Sequence, residues 1–251
     1  MRVLAIAVGV FSVASILTAE APIYSAASLV NAADNQAGWL APNTIATLYG
    51  QNLAYGTQVL SGGSPVGGDA TVNLNGFVAP LYYLSPTQIN FLIPPNLLPG
   101  PTTLQLIVDG LAGPPVAITL GASAPALFQL DQQNVIATRA DWSLITPAAP
   151  AQPGDVVVLY ATGLGQVVPP VGYGETPGSA APLAMLCQFQ VLLNGNPIDP
   201  GAIAYAGVAP GFSGLYQVNL TLPSGTGANP EIRIAIGAAM SIAGLQIPVS
   251  P

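Results

Sequence analysis

The sequence predicts an all-β protein made of two tandem antiparallel β-sandwiches that follow an N-terminal signal peptide. Three observations carry this prediction: an internal duplication, a series of short strand-like segments separated by turn residues, and an apolar leader. At 251 residues the chain has room for two domains of ordinary size. We predict a signal peptide over residues 1–21, a first sandwich over residues 22–121 and a second over residues 122–251.

The second half of the chain repeats the first. Three segments return in the same order: 42–53 as 153–164, 72–76 as 191–195, and 88–94 as 217–223. The offset between copies drifts only from 111 to 119 to 129 residues, as loop insertions between matching strands would produce. Solenoid repeats have periods of roughly 20–50 residues, so a repeat of this length indicates a duplicated domain.

Short apolar runs bounded by Gly, Pro and Asn indicate strands throughout both units. In the first unit the predicted strands are 45–49, 70–74, 88–93, 104–108 and 116–120. In the second unit they are 156–160, 189–193, 216–222, 232–236 and 244–249. The pairs Asn75-Gly76 and Asn194-Gly195 predict tight hairpins, because both residue types tolerate positive φ.

The N-terminus has the features of a secretory signal. Arg2 precedes an apolar run from Val3 to Leu17, and Ala19 and Ala21 offer alternative cleavage positions. The other interpretation is a retained membrane anchor, but the run is short for a span of about 20 residues. We therefore expect a secreted, extracellular or cell-surface protein.

The charge inventory excludes several classes of partner. The chain has no lysine and no histidine, its basic residues are Arg2, Arg139 and Arg233, and its net charge is −7. Nucleic acids and anionic lipids both require clustered cations, so we predict neither as a partner, and no membrane contact after signal cleavage. Little charge opposes self-association through open strand edges, which makes further copies of this chain, or other extracellular proteins, the expected partners.

The residues that usually carry catalysis are missing. Without histidine or lysine, Cys187 has no basic partner, and we expect it to be a buried structural thiol. The nine acids after the leader lie at least ten residues apart in sequence, and no calcium-binding pattern occurs. We predict no enzyme activity, no catalytic residue, no metal and no cofactor; a hydrolase would need two acids brought together by the fold.

One duplicated motif offers a possible binding surface. Gln88 and Asn90 share one face of a predicted strand, as Gln217 and Asn219 do in the second unit. Such amides either bind sugar hydroxyls, with nearby tyrosines stacking on the rings, or satisfy the protein's own polar groups. The candidate ligand or edge contacts are Tyr82, Tyr83, Gln88, Asn90, Tyr216, Gln217 and Asn219. We expect Tyr49 and Tyr160 to be core or corner tyrosines and not ligands, and Trp142 to pack inside the second domain.

Several stretches resemble a known family. They are VNAA at 30–33, LAP at 40–42, LYGQNLA at 48–54, APLYYLSPTQINF at 79–91, LYATGLG at 159–165, YAGVAPG at 205–211 and GLYQVN at 214–219. Together they resemble the Solibacter-type C-terminal domain of secreted acidobacterial proteins, over about residues 22–250. The resemblance implies paired immunoglobulin-like (IPT/TIG-like) β-sandwiches, and it implies no activity.

These observations together predict a secreted, non-catalytic structural or adhesive surface protein that self-assembles into filaments or a surface layer. The alternative is an extracellular glycan-binding module.

Overall fold

A computed structural model describes residues 20–64, 68–173 and 175–251. The predicted leader, apart from its last two residues, lies outside the described residues. The strands are β1 (Leu29–Asn31), β2 (Ile45–Tyr49), β3 (Gln58–Ser64), β4 (Ala70–Leu74), β5 (Phe77–Val78), β6 (Leu81–Leu84), β7 (Gln88–Leu92), β8 (Gly100–Val108), β9 (Leu111–Ala112), β10 (Val116–Leu120), β11 (Ala126–Leu127), β12 (Ala137–Arg139), β13 (Val156–Thr162), β14 (Ala181–Pro182), β15 (Phe189–Leu193), β16 (Asn196–Pro197), β17 (Ile203–Val208), β18 (Tyr216–Thr221), β19 (Ile232–Ile236) and β20 (Ala239–Met240). Short 3₁₀ turns occupy Ala26–Ser28, Leu186–Gln188 and Pro200–Ala202.

Strands β1 to β10 form the first sandwich. One sheet has the order β1-β2-β7-β6-β3, and the other has the order β10-β8-β4-β5 with β9 beside β8. All strand pairings are antiparallel. The two sheets share one core, in which Leu48 and Phe91 of the first sheet pack with Val72 and Leu104 of the second.

Strands β11 to β20 repeat this plan. One sheet has the order β11-β13-β18-β17-β14 with β12 beside β13, and the other has the order β16-β15-β19-β20. Its core includes Leu159, Val191, Val218 and Ile234. The structure therefore confirms the predicted all-β fold of two tandem antiparallel sandwiches. The predicted domain limits stay a prediction; β10 ends at Leu120 and β11 begins at Ala126.

The duplicated Asn-Gly turns close equivalent hairpins. Asn75 has a φ of 48° and Asn194 a φ of 49°, and a glycine with positive φ follows each. The side chain of Asn75 accepts from the Thr103 amide at 2.8 Å, and that of Asn194 accepts from the Glu231 amide at 2.9 Å. In both units the turn asparagine thus also ties its hairpin to the neighbouring segment.

Polar contacts join the two sandwiches. The Thr162 hydroxyl accepts from the Ile45 amide at 2.9 Å and donates to the Gly214 carbonyl at 2.7 Å. Asn31 donates its side-chain amide to the Ala124 carbonyl at 3.2 Å. A Cβ on Gly214 would lie 2.4 Å from a Leu92 methyl, so only glycine permits this closeness. The junction is therefore closely packed as well as hydrogen-bonded.

Three local predictions were wrong. Residues 244–249 form only isolated bridges, because this segment changes partners along its length. Its bridges are to Asn134, Glu231 and Ala151. Cys187 is exposed in a 3₁₀ turn ahead of β15. Trp142 is 69% exposed, although it was expected inside, and Tyr49 is 38% exposed, which excludes the core alternative for this residue.

Candidate functional site

The outer face of the larger sheet of the second unit gathers tyrosines and amides. Asn219 lies opposite Val158 on β13 and opposite Tyr205 on β17, while Gln217 lies opposite Tyr160. Because directly opposed residues in an antiparallel sheet point to the same side, these side chains share one face. That face looks away from the core, since the alternate residues Val218 and Leu220 are fully buried.

The first unit carries the same arrangement. Gln88 lies opposite Tyr49 on β2, and Asn90 lies opposite Tyr83 on β6. In both units the strand that carries the second tyrosine has an irregular register at the same place, between Leu81 and Tyr83 and between Ile203 and Tyr205. The duplication has therefore kept a Tyr-Gln-Asn-Tyr surface as well as a core.

The amides within each surface bond to one another. Gln217 donates its side-chain amide to Asn219 Oδ1 at 2.7 Å, and Gln88 donates to Asn90 Oδ1 at 2.9 Å. The Asn90 oxygen also accepts from the Thr47 hydroxyl at 3.1 Å. Among the described residues, the Nδ2 amides of Asn90 and Asn219 have no acceptor. Each asparagine is thus fixed through its oxygen while its two N–H donors stay available to a ligand.

Only the second unit adds a tryptophan to this surface. A shallow depression of about 200 Å³ is lined by Arg139, Ala140, Trp142, Val156, Val158, Gln217 and Asn219. Trp142 lies in the turn after β12 and has a φ of 68°. The turn is held by Asp141, whose carboxylate accepts from the Ser143 amide at 3.0 Å and the Ser143 hydroxyl at 2.6 Å. These two hydrogen bonds lower the pKa of Asp141, and the bond from the hydroxyl has the larger effect.

Arg139 is engaged by the protein itself. Its Nη2 donates to the Ala149 carbonyl at 3.1 Å and to the Pro150 carbonyl at 2.7 Å. The guanidinium thereby braces the loop that follows the Trp142 turn. Arg139 lines the depression, and its Nη2 hydrogen bonds are made to the backbone of the protein itself.

The predicted contact residues divide into three groups. The first group is half-buried on the outer faces described above and consists of Tyr83, Gln88, Asn90, Gln217 and Asn219. Tyr82 instead reaches the junction and donates its hydroxyl to the Ser213 carbonyl at 2.8 Å; burial, partly offset by this bond, raises its pKa to about 12. Tyr216 is fully buried and donates to the Gly165 carbonyl, so its proposed place on a binding surface was wrong.

The residues missed from sequence are Tyr49, Tyr160, Tyr205 and Trp142. A signal existed for the first two, because the duplicated Leu-Tyr pairs 48–49 and 159–160 alternate inward and outward along their strands. Leu48 and Leu159 are fully buried, so the tyrosines beside them must face outward.

The acidic groups form no metal-binding cluster in the part of the chain that the structure describes. No group of three or more His, Cys, Asp or Glu side chains there could hold a metal ion. Asp69 and Asp109 approach each other through Tyr55, which donates its amide to Asp69 at 3.0 Å and its hydroxyl to Asp109 at 3.4 Å. Asp109 and Tyr55 are exposed at a loop end. Nor do the described residues include a helix long and apolar enough to cross a membrane.

Comparisons with known proteins yield structural similarities of low score. No protein-family model and no curated protein matches the chain. The structure is similar to SGBP-B of the Bacteroides ovatus mixed-linkage glucan utilization locus, solved with a mixed-linkage heptasaccharide, at a TM-score of 0.36 and 12% identity over 85% of this chain and 43% of that one.

It is also similar to the tandem Ig repeats of Dlar, at a TM-score of 0.23 and 11% identity, over 84% of this chain and 91% of that one. For domains 4–9 of the surface layer protein SbsC the TM-score is 0.25 and the identity 15%, over 91% of this chain and 31% of that one. With TM-scores well below 0.5, none of these similarities bears on function.

Proposed function

We propose that the protein is a secreted, non-catalytic adhesive module that binds extracellular glycans through the outer face of its second sandwich. The observation that carries this proposal is the fixed pair Gln217 and Asn219, whose free amide donors lie beside tyrosine rings and an exposed tryptophan. Sugar hydroxyls accept from such donors, and the C–H face of a sugar ring packs on aromatic side chains.

Two further features support a binding role over a purely structural one. A purely structural amide pair would be expected to satisfy its own donors, whereas the Asn219 donors remain unpaired among the described residues. The Asn219 oxygen also accepts from the Gln217 amide at 2.7 Å, which holds the asparagine side chain in one orientation. A rigid surface loses less conformational entropy on binding than a mobile one.

The test is binding of the full chain to a panel of soluble polysaccharides, followed by affinity electrophoresis and calorimetry. We expect binding to at least one glycan and a loss of about tenfold or more in affinity for Asn219→Ala, because a ligand hydrogen bond is removed. Gln190→Ala removes an exposed amide from β15 on the other sheet, and it should bind as the parent does. Failure of the parent chain to bind any glycan of the panel would refute the proposal.

Self-assembly remains a second candidate function, favoured by the edge strand β10. This strand pairs with β8 on one side, and Ala117 and Thr119 are exposed along it. Beside it lies a depression of about 400 Å³ that Gly38 and Leu40 help to line, and the intervening Trp39 is 61% exposed. An open strand edge with an apolar neighbour is a template for pairing between chains.

Light scattering and electron microscopy of the secreted protein test this candidate. If β10 mediates assembly, Thr119→Lys should abolish it, because a charged side chain on an edge strand opposes strand pairing. Thr103→Lys places the same charge on the neighbouring inner strand β8 and should leave assembly intact. A monomeric parent chain at high concentration would exclude assembly by this edge.

A further inference from the structure

We infer that the two copies of the Tyr-Gln-Asn-Tyr surface are no longer equivalent: the second alone is a glycan site, and Trp142 is the platform on which a neutral pyranose ring stacks. This inference rests on the proposed glycan binding and specifies its site and ligand class.

The turn that carries Trp142 has a counterpart in the first unit that is one residue longer. The amide of Asn31 donates to the Gln36 carbonyl at 3.0 Å, and the amide of Arg139 donates to the Ser143 carbonyl at 2.9 Å. Both turns follow a strand that pairs antiparallel with the Leu-Tyr strand of its unit, β2 or β13. The two turns therefore occupy the same place in the duplicated fold.

Their side chains correspond as well. Asp34 Oδ1 accepts from the Gln36 amide at 2.9 Å, as Asp141 Oδ1 accepts from the Ser143 amide. Between these residues stands Asn35 in the first unit, with a φ of 56°, and Trp142 in the second, with a φ of 68°. The same left-handed position thus holds asparagine in one copy and tryptophan in the other.

This exchange opposes the intrinsic preference of the backbone. Asparagine tolerates left-handed φ, whereas a bulky side chain there is strained and uncommon. Trp142 gains little packing in return, since it is 69% exposed. Strain held at an exposed aromatic residue indicates a role in binding, because folding alone would favour the residue found in the first copy.

The position of Trp142 suits a sugar ring. It lines the same depression as Gln217 and Asn219, so a ring stacked on the indole lies within reach of the free Asn219 donors. In the first unit, Asn35 Oδ1 instead accepts a hydrogen bond from the Tyr49 hydroxyl at 3.1 Å, so these two polar groups are paired with each other. Within the described ranges, the first copy therefore has no tryptophan beside its amides, and the hydroxyl of its exposed tyrosine is bound within the protein.

The charges around the depression favour a neutral ligand. Its one cation, Arg139, is committed to backbone carbonyls, and the Asp141 carboxylate stands next to Trp142. The whole chain carries a net charge of −7. The net negative charge of the chain opposes the approach of a polyanionic glycan, so we assign a neutral polysaccharide as the ligand.

The test compares the only two tryptophans of the chain, which are similarly exposed. Four full-length proteins are titrated with soluble neutral β-glucan and with polygalacturonate: the parent, Trp142→Asn, Trp142→Ala and Trp39→Ala. The melting temperature of each protein is recorded without ligand. We expect the parent and Trp39→Ala to bind the neutral glucan, and both Trp142 variants to bind about tenfold or more weakly. We also expect Trp142→Asn to melt about 2–4 °C higher than the parent, because asparagine relieves the strain.

Each result decides the inference. Tenfold weaker binding by a Trp142→Asn protein that melts at or above the parent temperature supports it, since misfolding is then excluded. Parent-like binding by both Trp142 variants overturns it and leaves the proposed glycan binding standing. Preference for polygalacturonate overturns the neutral ligand class, and no binding by the parent to any polysaccharide overturns both proposals.

Discussion

Replacing Thr162 by valine tests whether a single hydroxyl, which bonds across the junction to Ile45, couples the two sandwiches. Thr162 ends β13 in the second unit and is fully buried. Its hydroxyl accepts from Ile45, the first residue of β2, and donates to Gly214 in the loop before β18. Valine has nearly the same shape, so Thr162→Val removes both bonds while largely preserving the packing.

The expected loss of stability follows from the polar groups that Thr162→Val leaves without partners. The Ile45 amide and the Gly214 carbonyl would remain in the junction without partners, and a buried unsatisfied polar group costs about 1–3 kcal/mol. Burial of the new methyl group offsets about 0.8 kcal/mol of this. We expect the free energy of unfolding to fall by about 2–4 kcal/mol, measured by urea denaturation of the full chain followed by circular dichroism.

Two companion variants make the result interpretable. Thr162→Ser keeps the hydroxyl and should retain most of the stability that valine loses. Thr221→Val makes the same substitution at an exposed position of β18, where a change within about 0.5 kcal/mol is expected. If Thr162→Val is no less stable than Thr221→Val, the hydroxyl does not couple the sandwiches and the reasoning fails.

Two further predictions concern pH. Hydrogen bonds from the Asn134 side chain and from the Gln133 and Asn134 amides lower the pKa of Asp131. The contribution of Asp131 to stability is therefore present above the unfolded pKa of about 3.9, and it is lost as the pH falls through the lower folded pKa. Asp131→Ala should accordingly lower stability more at pH 6 than at pH 2 in urea titrations, and an equal deficit at both pH values would contradict this. Burial raises the pKa of Tyr82 to about 12 and also raises that of Tyr216; because both titrate near pH 10 when unfolded, stability should fall as the pH rises above 10. Absorbance at 295 nm should then show a fraction of the tyrosines ionising only with unfolding, whereas complete ionisation of the folded chain at pH 10–11 would refute it.

Much of the core fold could be predicted because the duplicated strands obey simple alternation. β2, β4, β10, β15 and β19 have the predicted bounds, and the others predicted extend or shorten by a few residues, except at 244–249. Edge strands such as β14 and β16 were missed, since two-residue strands depend on their neighbours and leave no periodic signal. The resemblance to the Solibacter-type family stays a prediction.

The candidate site was only partly predictable. Alternation correctly placed Gln217 and Asn219 outward, and the same rule applied to Tyr216 would have placed it inward. Trp142 was expected inside because large apolar residues usually are. Its correspondence to Asn35 depends on strand register, since the turns differ in length: Val30 pairs with Ala37, whereas Thr138 pairs with Leu144.

The junction between the sandwiches has a mechanical consequence. A linker without hydrogen bonds to its neighbours lengthens under tension before either of the domains it joins bears the load. Here the connecting segment 121–125 is itself pinned, because the Gly121 amide donates to Leu40 and the Ala124 amide donates to Gly163, at 2.8 and 2.7 Å. Pulling on the two ends would therefore load these two bonds and the bond between Ile45 and Thr162 before the segment could extend.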